Sequence, residues 1–473
     1  MTPPRSDMTI PPAAPSGPRS GPRGQPLLGN LFAFARDPLR FMVRLREDFG
    51  DQVLWSLGRR RCLTLSHPRL VNETLQQAEA GLELLDAGWA ARQVVGHDSV
   101  IFTKGEEWRH TRAMLHPALR PRMVRRYAAV MAACAAAHAD RWRDGDRVDV
   151  QEEMTRVTQD IVLRILFGAT SVVRSSGLRD AMATVQREIG DEFSGLGAFL
   201  PGWVPLPYRR RVRTACGVID EAIYRLIRER RARAAEVRER DVLDTLLAQR
   251  DPQGRPLSDR DVRNQVLALW VGGHESTTTT LTWAWLALAG QPHARLRLHA
   301  ELRQVLDGRS PGYDDYDRLP YTQQVVKETL RLYPPLWALA MTASRDTVVG
   351  TVPVKAGTLV WTSQWSVHRD PRWYPEPEAF RPERFAAGAA GTAADDAWFP
   401  FGAGPRACLG ARFALVEVAL VLATLAQRFH LDISGGRPAP RPGMFLKPST
   451  PVYATLRAVP PPDGEGPSAP AAG

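Results

Sequence analysis

Long apolar runs are absent from this chain. No stretch of eighteen uninterrupted apolar residues occurs, so no membrane-spanning helix is expected. Cysteine is scarce. Cys62, Cys134, Cys216 and Cys408 are scattered without paired spacing, which argues against a disulfide framework and for a reducing compartment. No glycine-rich dinucleotide fingerprint is present, so neither a flavin nor a nicotinamide is expected to bind. Internal repeats and linkers are missing between residues 25 and 455, so one domain is expected although the chain has 473 residues. Met1 to Arg23 holds Pro, Ser, Gly and Arg but lacks the apolar centre of a signal peptide. The expected organisation is a disordered lead at 1–24, a single domain at 25–458 and a disordered tail at 459–473.

What is present is ordinary for a globular protein: 44% hydrophobic and 24% charged residues. The net charge is +11 and the pI about 9.9. Arginine is interleaved with Asp and Glu and lacks the aromatic stacking pattern of a nucleic-acid binder, so no nucleic-acid partner is expected. The excess matches the Arg- and Ala-rich composition that a GC-rich genome produces. An acidic protein partner is the functional alternative.

The chain is organised around Phe401-Gly402-Ala403-Gly404-Pro405-Arg406-Ala407-Cys408-Leu409-Gly410. Gly402, Gly404 and Pro405 specify a tight loop. From Leu409 to Phe429 an apolar stretch reads as a buried helix. A cysteine at the mouth of that helix is favoured as thiolate by backbone N–H groups and the helix dipole. Arg406 adds positive charge, and Gly410 lets a flat ligand approach the backbone.

This decapeptide resembles the haem-binding loop of the cytochromes P-450, the haem-thiolate monooxygenases: Phe, Gly, any, Gly, any, Arg, any, Cys, any, Gly. Every constrained position is filled. The resemblance implies a mainly α fold with small β-sheets, a large helical region and a smaller β-rich region around a buried haem b (iron protoporphyrin IX), with Cys408 as the metal ligand. Phe401, Arg406 and Gly410 are then cofactor-binding residues.

Taken in order, Asp37 to Phe49 reads as an amphipathic helix. Gln52 to Leu57 and Arg61 to Leu65 alternate as a hairpin. Gly88 to Gly105 shows no period, and the family's equivalent loop roofs the substrate pocket. Glu106 to Leu119 is helical by period, with Trp108 and Arg112 on one face. The family uses a Trp and an Arg at this spacing to hold a haem propionate. Arg120, Arg122, Arg125 and Arg126 form a basic cluster with two equal readings, a patch that would attract an acidic ferredoxin or a plain solvated face. The apolar, proline-broken segment from Phe193 to Tyr208, Phe199 included, falls where the family keeps a mobile lid. Arg209 to Arg240 reads as a charged, solvent-facing helix.

Ser258 to Ala289 opens on a capping box, Ser258 with Asp261. Its middle, Gly272-Gly273-His274-Glu275-Ser276-Thr277, consists largely of poor helix formers, and an opened hydrogen-bond ladder is expected there. The segment resembles the family's oxygen-binding motif. The resemblance implies that Gly273 lies against the cofactor and that Glu275 and Ser276 handle protons. Ser276 departs from the usual threonine: the hydroxyl is kept, the rotamer-fixing methyl is lost. His274, at the unconstrained position, is expected to be packed or solvated rather than a ligand.

Thr322 to Tyr333 reads as a helix ended by Pro334-Pro335. It carries Glu328 and Arg331, and in the family this pair joins an arginine of a Pro-Glu-Arg-Phe segment, here Arg384, in a buried network. Leu336 and Leu339 are expected in the substrate pocket. Met341-Thr342 stand where many members carry a propionate-binding arginine. Val348 to Val354 and Thr358 to Trp361 read as a hairpin. His368 looks structural.

The implied function is insertion of one oxygen atom from O₂ into a C–H bond of a small lipophilic substrate, a terpenoid, polyketide or fatty acid. Ferredoxin and ferredoxin reductase would supply the electrons in a cytoplasmic, specialised-metabolic setting. Peroxide-driven oxidation, desaturation or oxidative coupling is the alternative, and a non-catalytic haem binder is a third reading.

Overall fold

A computed structural model describes residues 17–459 apart from 86–87, 169–175, 195–203, 205, 233–240, 252 and 389–395. The helices that matter below are α1 (Pro38–Phe49), α2 (Pro68–Gln76), α3 (Gly105–Leu115), α4 (Val150–Phe167), α5 (Ser176–Ser194), α6 (Asp259–Ala289), α7 (Pro320–Leu332) and α8 (Ala411–Ala426). The fold is mainly helical with small sheets, as expected. It divides into two compact units, Met1–Leu85 with Leu330–Cys408, and Asp86–Thr329 with Leu409–Gly473.

The first unit is built on a six-stranded mixed sheet in the order Pro18–Ser20, Gln52–Leu57, Arg60–Leu65, Leu359–Thr362, Leu339–Ala343, Leu82–Leu84. The hairpin forms, with its second strand starting one residue earlier than read, so that Arg60 stands opposite Leu57. Two expectations are corrected. Pro18–Ser20, placed within the disordered lead, pairs in parallel with Gln52–Leu54. A proline is tolerated there because it is the first residue of an edge strand. Leu359–Thr362 does not pair with the preceding segment but inserts between Arg60–Leu65 and Leu339–Ala343. The local hairpin is Thr347–Val349 with Val352–Val354. Leu359, Val360, Trp361 and Thr362 are buried throughout, and a central position gives the backbone of such a buried segment hydrogen-bond partners on both edges, which one arm of a hairpin lacks. Leu63, Leu65, Val71, Leu82, Met341, Val360 and Phe399 form the core beside this sheet. Asp37 caps α1 by accepting from the Arg40 N–H at 2.9 Å.

The second unit is helical around α6, which is buried along most of its length. Its capping box is present: Ser258 Oγ accepts from the Asp261 N–H at 3.1 Å, and Asp261 accepts from the Ser258 N–H at 3.3 Å. Trp283 donates its Nε1–H to the Leu446 carbonyl at 2.7 Å, fastening α6 to the hairpin Pro440–Pro442 and Leu446–Pro448. The periodless segment near Gly88 holds a short helix, Trp89–Val95. The charged helix runs Pro207–Ala232 and buries an apolar stripe including Val212, Ile219 and Ile223, so only part of its surface faces solvent.

Candidate active site

In the first unit, the loop from Phe401 to Cys408 is neither helix nor strand. It closes on itself. The Gly402 N–H donates to Phe399 O at 3.0 Å, Ala407 N–H to Gly404 O at 3.1 Å, and Cys408 N–H to Phe401 O at 2.9 Å. Gly402 and Gly404 both have φ of +69°, a region that strains any other residue. A Cβ on Gly404 would overlap the Leu75 carbonyl group of α2, 2.7 Å from its carbon. Leu339 is half-buried and reaches within 3.5 Å of where a Gly402 Cβ would stand.

Helix α8 starts at Ala411 with Gly410 as its cap, three residues beyond Cys408. The cysteine therefore precedes the helix rather than opening it, because Cys408 spends its N–H on the loop. The cysteines separate by environment. Cys62, Cys134 and Cys216 are buried, and burial pushes their thiols up to about 12, 11 and 11. Cys408 is exposed.

Arg406 is braced by a partner that the sequence did not reveal. Its Nε–H donates to Glu79 Oε1 at 2.7 Å, and both side chains are nearly buried. A second brace comes from His368. Its Nε2 accepts from the Phe399 N–H at 3.1 Å, and its Nδ1–H donates to the Arg331 carbonyl at 3.2 Å. Burial, then the nearby Arg331 guanidinium, pushes its pKa down to about 3. The ring is therefore neutral and structural, as expected.

Arg331 is fully buried and donates to His368 O at 2.8 Å, Pro377 O at 2.7 Å and Ala379 O at 3.1 Å. Arg384 donates to Glu376 O at 2.7 Å. The two arginines thus grip neighbouring carbonyls of one segment. Glu328, on α7, is fully buried. Met341 points into the core of its unit, Leu336 is exposed, and Phe199 lies outside the described residues.

In the second unit, α6 is continuous through Gly272 to Thr280, so the expected opening of the ladder is corrected. The hydroxyls turn inward on their own helix: Ser276 Oγ donates to Gly272 O at 3.0 Å, Thr277 Oγ1 to Gly273 O at 3.0 Å, and Thr280 Oγ1 to Ser276 O at 2.8 Å. Such back-bonding leaves the backbone ladder intact. A Cβ on Gly272, Gly273 or Gly410 would meet no protein atom within 4 Å, which suits a flat group against the backbone.

Glu275 points elsewhere, into a polar cleft of about 430 Å³ that Thr155, Gln186 and Lys447 also line. There it forms an ion pair with Lys447. Trp108 is buried, with the Arg112 guanidinium 5.7 Å from its ring centroid. In the basic cluster, Arg125 pairs with Asp314 at 2.7 Å. Sequence reading also missed Glu417. Burial pushes its carboxyl well above the ordinary range, and its Oε2 is buried without a hydrogen-bond partner among the described residues. The available signal was a lone acid in a mostly apolar helix, nine residues after Cys408.

One exposed cysteine on a braced glycine loop, in a mainly helical protein whose longest helix carries an acid beside two glycines, defines the haem-thiolate class of oxygenase. Residues 18–456 match Cytochrome P450, and the chain belongs to that family as a P450 monooxygenase with a haem-thiolate cofactor. It is 33% identical over 453 residues to cyclooctat-9-en-7-ol 5-monooxygenase of Streptomyces melanosporofaciens, covering 93% of this chain and 94% of that one. Cyclooctatin synthase of the same organism is 33% identical over 452 residues, covering 93% and 95%. Pentalenene oxygenase of Streptomyces avermitilis is 29% identical over 423 residues, covering 88% and 91%. Among the described residues no helix is long and apolar enough to cross a membrane.

Proposed function

We propose that this P450 inserts one oxygen atom from O₂ into a C–H bond of a small lipophilic molecule, with a terpenoid as the favoured class. The names of the relatives carry the substrate class: a cyclic alkenol and pentalenene, from proteins that match 93% and 88% of the chain. Haem, when bound, supplies O₂ activation and one-electron chemistry. Cys408 is the residue that holds its iron, as thiolate. Gly273 and Gly410 leave the backbone bare for the flat face, Phe401 belongs to the loop that carries the ligand, and Trp108 with Arg112 binds a propionate. Arg406, tied to Glu79, holds the loop first and contributes its charge second. Glu328, Arg331 and Arg384 keep the segment behind the loop in place. Glu275 takes protons from the polar cleft, and Ser276 passes them on by general acid catalysis. Leu336, Leu339 and Phe199 serve the substrate. Electrons come from a ferredoxin and its reductase in the cytoplasm.

Two measurements test this. Cys408→Ser should abolish the reduced-CO Soret band of thiolate ligation, and an unchanged spectrum sinks the ligand assignment. A spin-state titration against cyclic terpenes, polyketides and fatty acids should respond best to the terpenes. Saturation by fatty acids alone overturns the substrate class. The serine at position 276 favours a second reading, peroxide-driven oxidation, desaturation or coupling. Turnover with peroxide equal to that with ferredoxin and NADPH would select it.

A further inference from the structure

Of the five residues from Gly272 to Ser276, His274 alone is buried. Its ring lies between two other helices of its unit. Nε2 is 3.3 Å from the Thr155 carbonyl of α4, and Nδ1 is hydrogen-bonded to the Gln186 amide nitrogen of α5. An amide nitrogen only donates, so Nδ1 accepts and Nε2 carries the proton that goes to Thr155. Both anchors therefore require the neutral Nε2–H tautomer. Burial favours that neutral form, against a smaller opposing effect of Glu275. Trp270, one turn earlier, stacks on the ring at 6.3 Å and 16°.

We infer that His274 is a positioning residue, whose two hydrogen bonds fasten the turn bearing Glu275 and Ser276 to α4 and α5. The inference rests on the reading of Glu275 and Ser276 as the proton-handling pair. The turn has other side-chain ties: Lys447 holds Glu275, and Thr278 Oγ1, one turn after His274, is hydrogen-bonded to Thr158 Oγ1 of α4 at 2.6 Å. The two glycines of the turn offer no side chain, and Ser276 and Thr277 spend their hydroxyls on their own helix. Glycine and back-bonded hydroxyls make a helical turn easy to deform. A rotation of α6 about its axis would carry Glu275 away from Lys447 and out of the cleft. Thr155 and Gln186 line that same cleft beside Glu275, so the anchor acts next to the carboxylate it orients. The same link lets a displacement of α5 reach the acid turn through Gln186.

The test compares full-length holoenzyme with His274→Phe, which keeps a flat ring for Trp270 but loses both bonds, and His274→Gln, which keeps a donor for Thr155. Gln186→Leu removes the α5 anchor from outside the turn. Hydrogen exchange of the 272–278 amides should quicken about tenfold in His274→Phe and Gln186→Leu, the factor of about one lost hydrogen bond. His274→Gln should return most of it. The thiolate Soret band and the substrate dissociation constant should hold, while hydrogen peroxide formed per NADPH rises. The double variant should be no worse than the worse single one. Unchanged exchange in Gln186→Leu and in His274→Phe overturns the inference, as does equal loss in His274→Phe and His274→Gln. If His274→Phe does not fold, Gln186→Leu decides alone. Should Ser276→Ala leave peroxide formation unchanged while exchange responds as stated, the proton-handling reading fails and the anchor stands.

Discussion

Replacing Gly404 by alanine tests the account of the cysteine loop most directly. Two independent costs fall on one added methyl group. Holding alanine at φ +69° costs about 1–2 kcal/mol. The new Cβ would also overlap Leu75 O and lie 2.7 Å from Leu75 C and 3.0 Å from Gln76 Cα. All three are backbone atoms of α2, and the helix is held in place by Val71 and Leu75 in the buried core, so neither side can yield by rotating a side chain. Forced overpacking of this kind adds about 1–3 kcal/mol. The sum, on the order of 2–5 kcal/mol, should appear as a lower unfolding midpoint, and the displaced loop should weaken the reduced-CO Soret band. Gly402→Ala meets only an ordinary 3.5 Å contact with Leu339 and should cost the backbone strain alone. Gly410 has φ of −93° and no protein atom near its added Cβ, so without haem its alanine variant should keep its stability to within about 1 kcal/mol. Haem-free midpoints in any order other than 404 below 402 below 410, or a full Soret band in Gly404→Ala, would refute the reasoning.

Ser276→Ala should divert electrons to peroxide, and Ser276→Thr should raise product per NADPH, because the added methyl restricts the rotamer; identical yields in both would remove the hydroxyl from the mechanism. Arg331→Ala strips the donor from three carbonyls in a fully buried site, each such charge-assisted bond being worth about 1.5–3 kcal/mol. The haem-to-protein ratio of the purified variant should collapse, and a stable, haem-loaded variant would contradict the bracing role. His368 predicts acid sensitivity. Its folded pKa of about 3 lies below its ordinary 6.5, so the stability it lends is complete above pH 6.5 and is lost as pH falls toward 3, at roughly 1.4 kcal/mol per unit. Urea midpoints should drop between pH 7 and pH 5, and drop less in His368→Gln; parallel slopes would exclude His368 as the source.

The cysteine loop and the start of α6 were legible because their signals are local. The glycines and proline before Cys408 specify a loop through backbone sterics, and the capping box at Ser258 announces the start of α6 within four residues. Residue types that are costly in a helix drew attention to Gly272 through Thr280, but their consequence was misjudged: a hydroxyl can share the carbonyl one turn back, which has a second lone pair beside the one taken by the backbone N–H, and the helix continues. The strand at Leu359–Thr362 was recognised while its partners were not, because pairing depends on which edges are buried rather than on alternation.

The order of residues by itself determined the chemistry on offer: one cysteine on a glycine-bent loop, an acid and a hydroxyl in mid-helix, and an Arg–Glu framework in the right succession. Only the tertiary structure decided who holds whom. Arg406 meets Glu79 across 327 positions of sequence, Glu275 is claimed by Lys447, and His274 reaches Thr155 and Gln186 on separate helices. Hydrogen bonds and ion pairs of this kind depend on distances of a few ångströms between remote segments, and those distances exist only once the core has packed.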